Sequence, residues 1–298
     1  MIYHVRHTTL VRYDAFVRLA RFNLRLRPAL WPTQTVTDFK LEVKPAPAVI
    51  QERKSAYPVN VARMVIETPL TELQVESRFK VDVSAEVAAP ERDDPSVADV
   101  AEAALRVDAI HPTAPSNYLF ASSFTPMDPV IGAWGAETLG QGRGIVDAAL
   151  DLTQRIREEF TYDPAATDTD TPAGEAFAAR HGVCQDFAHI MLIALRCAGL
   201  PAAYVSGYLR TDPPPGKPRL IGADATHAWV MLWCGPERGW IGFDPTNGIP
   251  MGSGHVFTAM GRDYADVAPM DGIFVGQGAQ SVGVQVDVIP AEELALRG

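Results

Sequence analysis

The strongest constraint on the fold is a helical pattern followed at once by strand patterns. Behind Cys184, the residues Phe187, Ile190, Met191, Ala194, Leu195 and Ala198 recur at helical spacing, so one broad face of this segment must be covered. Gly199 stands where a helix stop belongs, with Pro201 just beyond it. Strand-like runs follow at 202–209, 226–234 and 240–244, with a last one near 284–288. Upstream, Ile145, Ala148, Ala149, Leu152, Ile156 and Phe160 predict an amphipathic helix over 143–160. A helix packed on antiparallel strands is an α+β architecture.

The first part of the chain reads differently. Residues 4–13 are rich in β-branched and aromatic types, and 39–43 and 79–83 alternate apolar with polar. Pro28, Pro32, Pro45, Pro47 and Pro58 punctuate these runs. Three parts are expected: a β-rich module over 1–85, a proline-rich connector with short helices over 86–135, and a catalytic core with C-terminal strands over 136–298. Residues 212–216, Asp-Pro-Pro-Pro-Gly, read as a turn.

Composition narrows the function. A net charge of -10 lacks the basic footprint that nucleic acid demands. No apolar run approaches the ~18 residues of a membrane span, and the first residues lack the apolar stretch of a signal peptide. A cytoplasmic location is therefore expected. The three cysteines, Cys184, Cys197 and Cys234, fit a reducing compartment. Cys184 and Cys197 would stand roughly 20 Å apart on one helix, too far for a disulfide.

Three segments carry chemistry. Cys184 follows Gly182-Val183 and opens a helix, where free N–H groups and the helix dipole favour a thiolate. His227 lies in a strand whose period-2 alternation puts it with Trp229, Met231 and Trp233. Asp244 ends the next strand, beyond the turn Gly235-Pro236-Glu237-Arg238. A two- or four-residue loop gives this hairpin an odd index sum, which places Asp244 on the His227 face; a three- or five-residue loop would separate them. Each residue alone has a bland reading: a small buried cysteine, a packed strand histidine, a turn aspartate. Together and in this order they are what a Cys-His-Asp enzyme needs.

The sequence resembles bacterial transglutaminase-like proteins, which join a papain-like core to a β-rich N-terminal module. The resemblance is carried by Gly182-Val183-Cys184-Gln185-Asp186-Phe187-Ala188-His189, Tyr204-Val205-Ser206-Gly207-Tyr208-Leu209, His227-Ala228-Trp229-Val230 and Gly242-Phe243-Asp244-Pro245-Thr246-Asn247. It continues into His255 and Gly261-Arg262-Asp263-Tyr264-Ala265-Asp266-Val267, and it includes His7, Thr9 and Tyr13. It implies Cys184 as nucleophile, His227 as base and then acid, Asp244 as orienting residue, a thioester intermediate and no required cofactor. Calcium is not carried over, because no EF-hand-like ligand run is present. Two departures stand out: Met231 replaces the glutamate of many relatives, and Tyr57-Pro58-Val59-Asn60 stands where a Gly-Asn turn is expected.

The oxyanion hole would use the Cys184 N–H and one more donor, with the Gln185 side chain and Tyr162 as candidates. Asp186 and His189 bond each other or cap local structure. Tyr208 lines the cleft or packs in the core, and Trp229 and Trp233 wall the acyl site or pack. A zinc reading of His181, Cys184 and His189 lacks a second close cysteine or histidine pair, so no metal is expected. The substrate implied is a peptide or protein bearing an amide or glutamine side chain. Hydrolysis is favoured; amine transfer and an inactive binding scaffold are the alternatives. The sequence leaves the oligomeric state open.

Overall fold

The computed structural model describes residues 1–106, 111–211 and 225–295; the turn read at 212–216 lies outside them. The first module is built from β1 (Ile2–Val17), β2 (Leu19–Leu24), β3 (Gln34–Lys44), β4 (Val49–Arg53), β5 (Val61–Ile66) and β6 (Leu70–Val83). Alternate residues of β1, among them Tyr3, Val5, His7, Thr9, Val11 and Tyr13, point inward, as the period-2 pattern requires. The connector holds α1 (Val97–Ala104), a 3-10 turn at Pro115–Tyr118 and α2 (Pro129–Leu139). Then come α3 (Ile145–Glu159), β7 (Thr161–Tyr162), α4 (Ala173–Ala179), β8 (His181–Gly182) and α5 (Cys184–Cys197).

After α5 the chain forms β9 (Ala202–Leu209), β10 (Ala225–Trp233), β11 (Trp240–Asp244), β12 (Ile249–Pro250) and β13 (His255–Gly261). These make one sheet in the order β12-β11-β10-β9-β13. One face packs with α3 and α5 through Ala202, Tyr204, Val230, Leu232 and Phe243. The other packs on the first module through Val205, Trp229 and Met231, against Val5, Phe79 and Val288. The central sheet is thus covered on both sides. Trp233, expected to share a face with His227, joins the helix-side cluster at the strand end and borders a surface cleft with Asp99 and Ala103 of α1.

The chain then makes α6 (Tyr264–Val267), β14 (Met270–Val275), β15 (Gln280–Pro290) and α7 (Ala291–Ala295). The strand expected near 284–288 is present but longer, and it returns to the beginning of the chain. β15 pairs antiparallel with β1, and β14 with β2. The resulting sheets run β15-β1-β6-β3 and β14-β2-β5-β4. The last strands therefore complete the first module's sheets rather than extending the central sheet.

Gly207 shows how tightly the layers meet. A Cβ there would lie 2.2 Å from the Val256 carbonyl oxygen and 2.5 Å from the Trp229 indole. Gly207→Ala is predicted to destabilise the protein by ~2–3 kcal/mol through overpacking. At Gly283 in β15 an added Cβ meets nothing within 4 Å; Gly283→Ala should change stability by less than about 0.5 kcal/mol. Urea unfolding of the two variants checks both.

Candidate active site

The nucleophile candidate is placed by a compact local device. Asp186 accepts from the Val183 backbone N–H at 2.8 Å and from the Thr167 hydroxyl at 2.6 Å, so it caps the start of α5 and ties down the preceding loop. The carboxylate fits because residue 182 is glycine: a Cβ there would meet Asp186 Oδ2 at 2.7 Å. Cys184 is the first residue of α5 and is half-buried, while the following turns sink into the core. Its thiol sits beside the unpaired N–H groups of a helix start.

The β10–β11 hairpin has the expected four-residue loop, Gly235–Arg238, closed by the Cys234 N–H donating to the Gly239 carbonyl at 2.8 Å. Val230 pairs with Phe243 and Trp233 with Trp240, giving the odd register. Asp244 consequently lies on the His227 face, one pair away. His227 Nε2 is 2.8 Å from Asp244 Oδ2. That leaves the other ring nitrogen for Cys184, which lies near enough to help raise the His227 pKa. The cysteine, histidine and aspartate singled out in sequence are therefore brought together, with the histidine bonded to the aspartate and near the cysteine.

Asp244 is fully buried, and its carboxylate collects five donors. Oδ2 accepts from His227, from His255 Nε2 at 3.1 Å and from Asn247 Nδ2 at 2.6 Å. Oδ1 accepts from the backbone N–H groups of Thr246 at 3.0 Å and Asn247 at 3.2 Å. Burial alone would raise its pKa, but hydrogen bonds from His227 and His255 and the charge of His227 outweigh this and hold the acid well below the usual carboxylate range. His227 shows the complementary shift. Burial alone would push it down, yet Asp244 and Cys184 raise it to about 10.

His255 and Asn247 were missed as site residues. Asn247, three positions beyond Asp244, has the spacing of a turn that folds back on the aspartate. His255 was named only among the residues that carry the resemblance, and no local signal gave it a role: it opens β13, separated from β11 by β10 and β9. Among the described residues, His227, Asp244 and His255 offer three atoms within 4.8 Å of one another, a spacing a metal ion could use. The hydrogen bonds within the set already account for all three atoms. His181, Cys184 and His189 form no such group among the described residues. His181 is exposed and bonds the Ala179 carbonyl, while His189 is buried, accepts from the Tyr264 N–H at 3.3 Å and is pushed down to about 3 by burial and Arg196.

The remaining candidates occupy distinct places. Tyr162 is 49% exposed and lies close enough to Cys184 to feel its charge. The Gln185 amide donates to the Thr169 carbonyl at 2.8 Å, so it anchors a loop. Tyr208 is buried, and its hydroxyl is 3.1 Å from His7 Nδ1 across the boundary between module and core. Trp229 is fully buried behind the two histidines, 5.3 Å from the His255 ring centre.

Comparison with known proteins bears on the family and the fold. Residues 133–245 match the transglutaminase-like superfamily core, and residues 3–82 match the bacterial transglutaminase-like N-terminal region. An uncharacterized Mycobacterium tuberculosis protein is 35% identical over 99% of this chain and 94% of its own length. The chain belongs to the bacterial transglutaminase-like family. A Pseudomonas aeruginosa relative named protein-glutamine gamma-glutamyltransferase is 39% identical over 99 residues, 32% of this chain and 15% of that protein. The crystal structure of a candidate cysteine protease from Cytophaga hutchinsonii shares the fold, with a TM-score of 0.76 at 21% identity over 98% of this chain and 91% of that one.

Two outcomes follow for this family member's site. Burial pushes the Cys197 and Cys234 thiols up, so limiting iodoacetamide should label Cys184 first, as peptide mapping can verify. His227 has a folded pKa above its ordinary value of 6.5, so its stabilising contribution is complete below that pH and is lost as pH rises towards about 10. The stability difference between wild type and His227→Gln, from urea unfolding, should therefore shrink between pH 6 and pH 10.

Proposed function

We propose that this transglutaminase-like protein is a cysteine enzyme that hydrolyses amide or isopeptide bonds through a thioester on Cys184. The observation that carries this reading is the imidazole of His227, bonded to Asp244 at 2.8 Å through one nitrogen and close enough to Cys184 for the two to shift each other's charge. In the first half-reaction the Cys184 sulfur attacks the amide carbonyl, and His227 gives its proton to the departing amine or ammonia. The Cys184 backbone N–H, at the helix start, faces the developing oxyanion, with the exposed Tyr162 as the remaining candidate for a second donor. In the second half, water attacks the thioester while His227 accepts its proton. The acid product leaves and the sulfur is restored. Asp244 keeps the imidazole oriented and compensates its charge. Cys184→Ala is expected to abolish turnover, and Asp244→Asn to lower kcat by on the order of 10³-fold or more while the fold persists.

Hydrolysis is preferred over transfer because a transferase must keep water from the thioester. Trp229 and Trp233, which could have formed shielding walls, are packed inside the protein. Amine transfer is the second reading, supported by the name of the Pseudomonas aeruginosa relative. The two part at one experiment: glutamine-containing peptides are incubated with millimolar lysine analogue and read by mass spectrometry. Deamidated or cleaved products should dominate. If most of the consumed peptide carries the amine adduct, the protein is a transferase.

A further inference from the structure

The cluster around Asp244 contains one more group than a triad needs. His255 Nε2 bonds the same oxygen, Oδ2, that receives His227, at 3.1 Å. The other side of its ring is also committed: Nδ1 accepts the Gly252 backbone N–H at 3.2 Å. A nitrogen that accepts an N–H carries no proton, so the His255 proton resides on Nε2 and points at Asp244. The ring is buried and stands edge-on to the Trp229 indole, 5.3 Å away, while Gly207 leaves the space that the indole fills. Among the described residues, the titratable groups seen against His255 are Asp244 and His227, with ring centres of the two histidines 6.2 Å apart.

We propose that His255 is a positioning residue: a tautomer-locked second imidazole that fixes Asp244 as the acceptor for His227 and so holds His227 in line with Cys184. This rests on the cysteine-enzyme reading and deepens it. Two imidazoles sharing one carboxylate oxygen restrain its rotation from both sides, and Asn247 closes the third side at 2.6 Å. Without the Nε2–H donor of His255, the carboxylate can turn and takes up a proton at a higher pH. Either change loosens His227.

The test uses alkylation of Cys184 by iodoacetamide from pH 4 to pH 9, which needs no knowledge of the substrate. His255→Leu deletes the donor. His255→Gln sets an amide N–H close to where Nε2 stands. The expected result is that His255→Leu slows alkylation at pH 6 by about 10- to 100-fold and moves the acid limb of the profile upward. His255→Gln should remain within about threefold of wild type. Unchanged rate and profile in His255→Leu overturn the proposal, as does an equal defect in both variants at wild-type melting temperature. Should His255→Leu fail to fold, nitrogen NMR of the wild-type imidazoles decides: an Nε2–H tautomer at His255 supports the proposal and an Nδ1–H tautomer contradicts it. Because alkylation reads the site and peptide turnover reads the reaction, failure of the hydrolase reading leaves this result distinguishable.

Discussion

The buried carboxylate of Asp244 is the constraint on which the rest of the site depends. An unpaired carboxylate with no exposure to water would take a proton, because burial disfavours its charge. Here five donors converge on it, two of them from the backbone of the turn that Asp244 itself begins. The charge is thereby kept, and a kept charge lifts His227 against the effect of its own burial. The imidazole then has one nitrogen fixed and one free to work on Cys184. Electrostatics, hydrogen bonding and tautomer choice are thus one arrangement, set by a single side chain.

Architecture supplies the burial. The central sheet brings Asp244 on β11 and His227 on β10 to one face, and α5 brings Cys184 to the His227 ring. The first module covers the sheet face that carries Trp229 and Met231, opposite the face that packs on α3 and α5, and its own sheets are completed only when β14 and β15 return from the far end of the chain. Polar contacts reinforce this boundary: His7 reaches Tyr208 of β9, and the Gln34 amide donates to the Phe257 carbonyl at 2.7 Å. The module is therefore part of what keeps the Trp229 side of the site dry. Arg196, almost fully buried in α5, plays a comparable part on the helix side by donating to the carbonyls of Tyr118, Ala202 and Arg262.

Much of the transglutaminase-like core was legible because its signals are local. The helix after Cys184 has an apolar face, a glycine stop and a following proline, and α5 spans Cys184–Cys197 with Gly199 at φ +77. The parity rule for the β10–β11 loop left two outcomes, and the four-residue loop Gly235–Arg238 selects the one with Asp244 and His227 on one face. Long-range pairing was not legible. Nothing in residues 280–290 states that they pair with β1, because any alternating strand offers the same pattern. His255 reaches Asp244 from across two intervening strands, and Trp229 is buried by a module more than a hundred residues earlier in the chain. Gln185 and Tyr208 were candidates by chemical type, but their polar atoms are engaged elsewhere, by the Thr169 carbonyl and by His7.

The central claim is that covalent chemistry passes through Cys184 with His227 as its proton carrier. Acid-quenching the enzyme during turnover of a glutamine-peptide library, followed by intact mass and peptide mapping, tests this directly. An acyl adduct confined to the Cys184 peptide is expected, released by hydroxylamine and absent in Cys184→Ala. Turnover without any such adduct, or an adduct on another residue with activity surviving in Cys184→Ala, would contradict it.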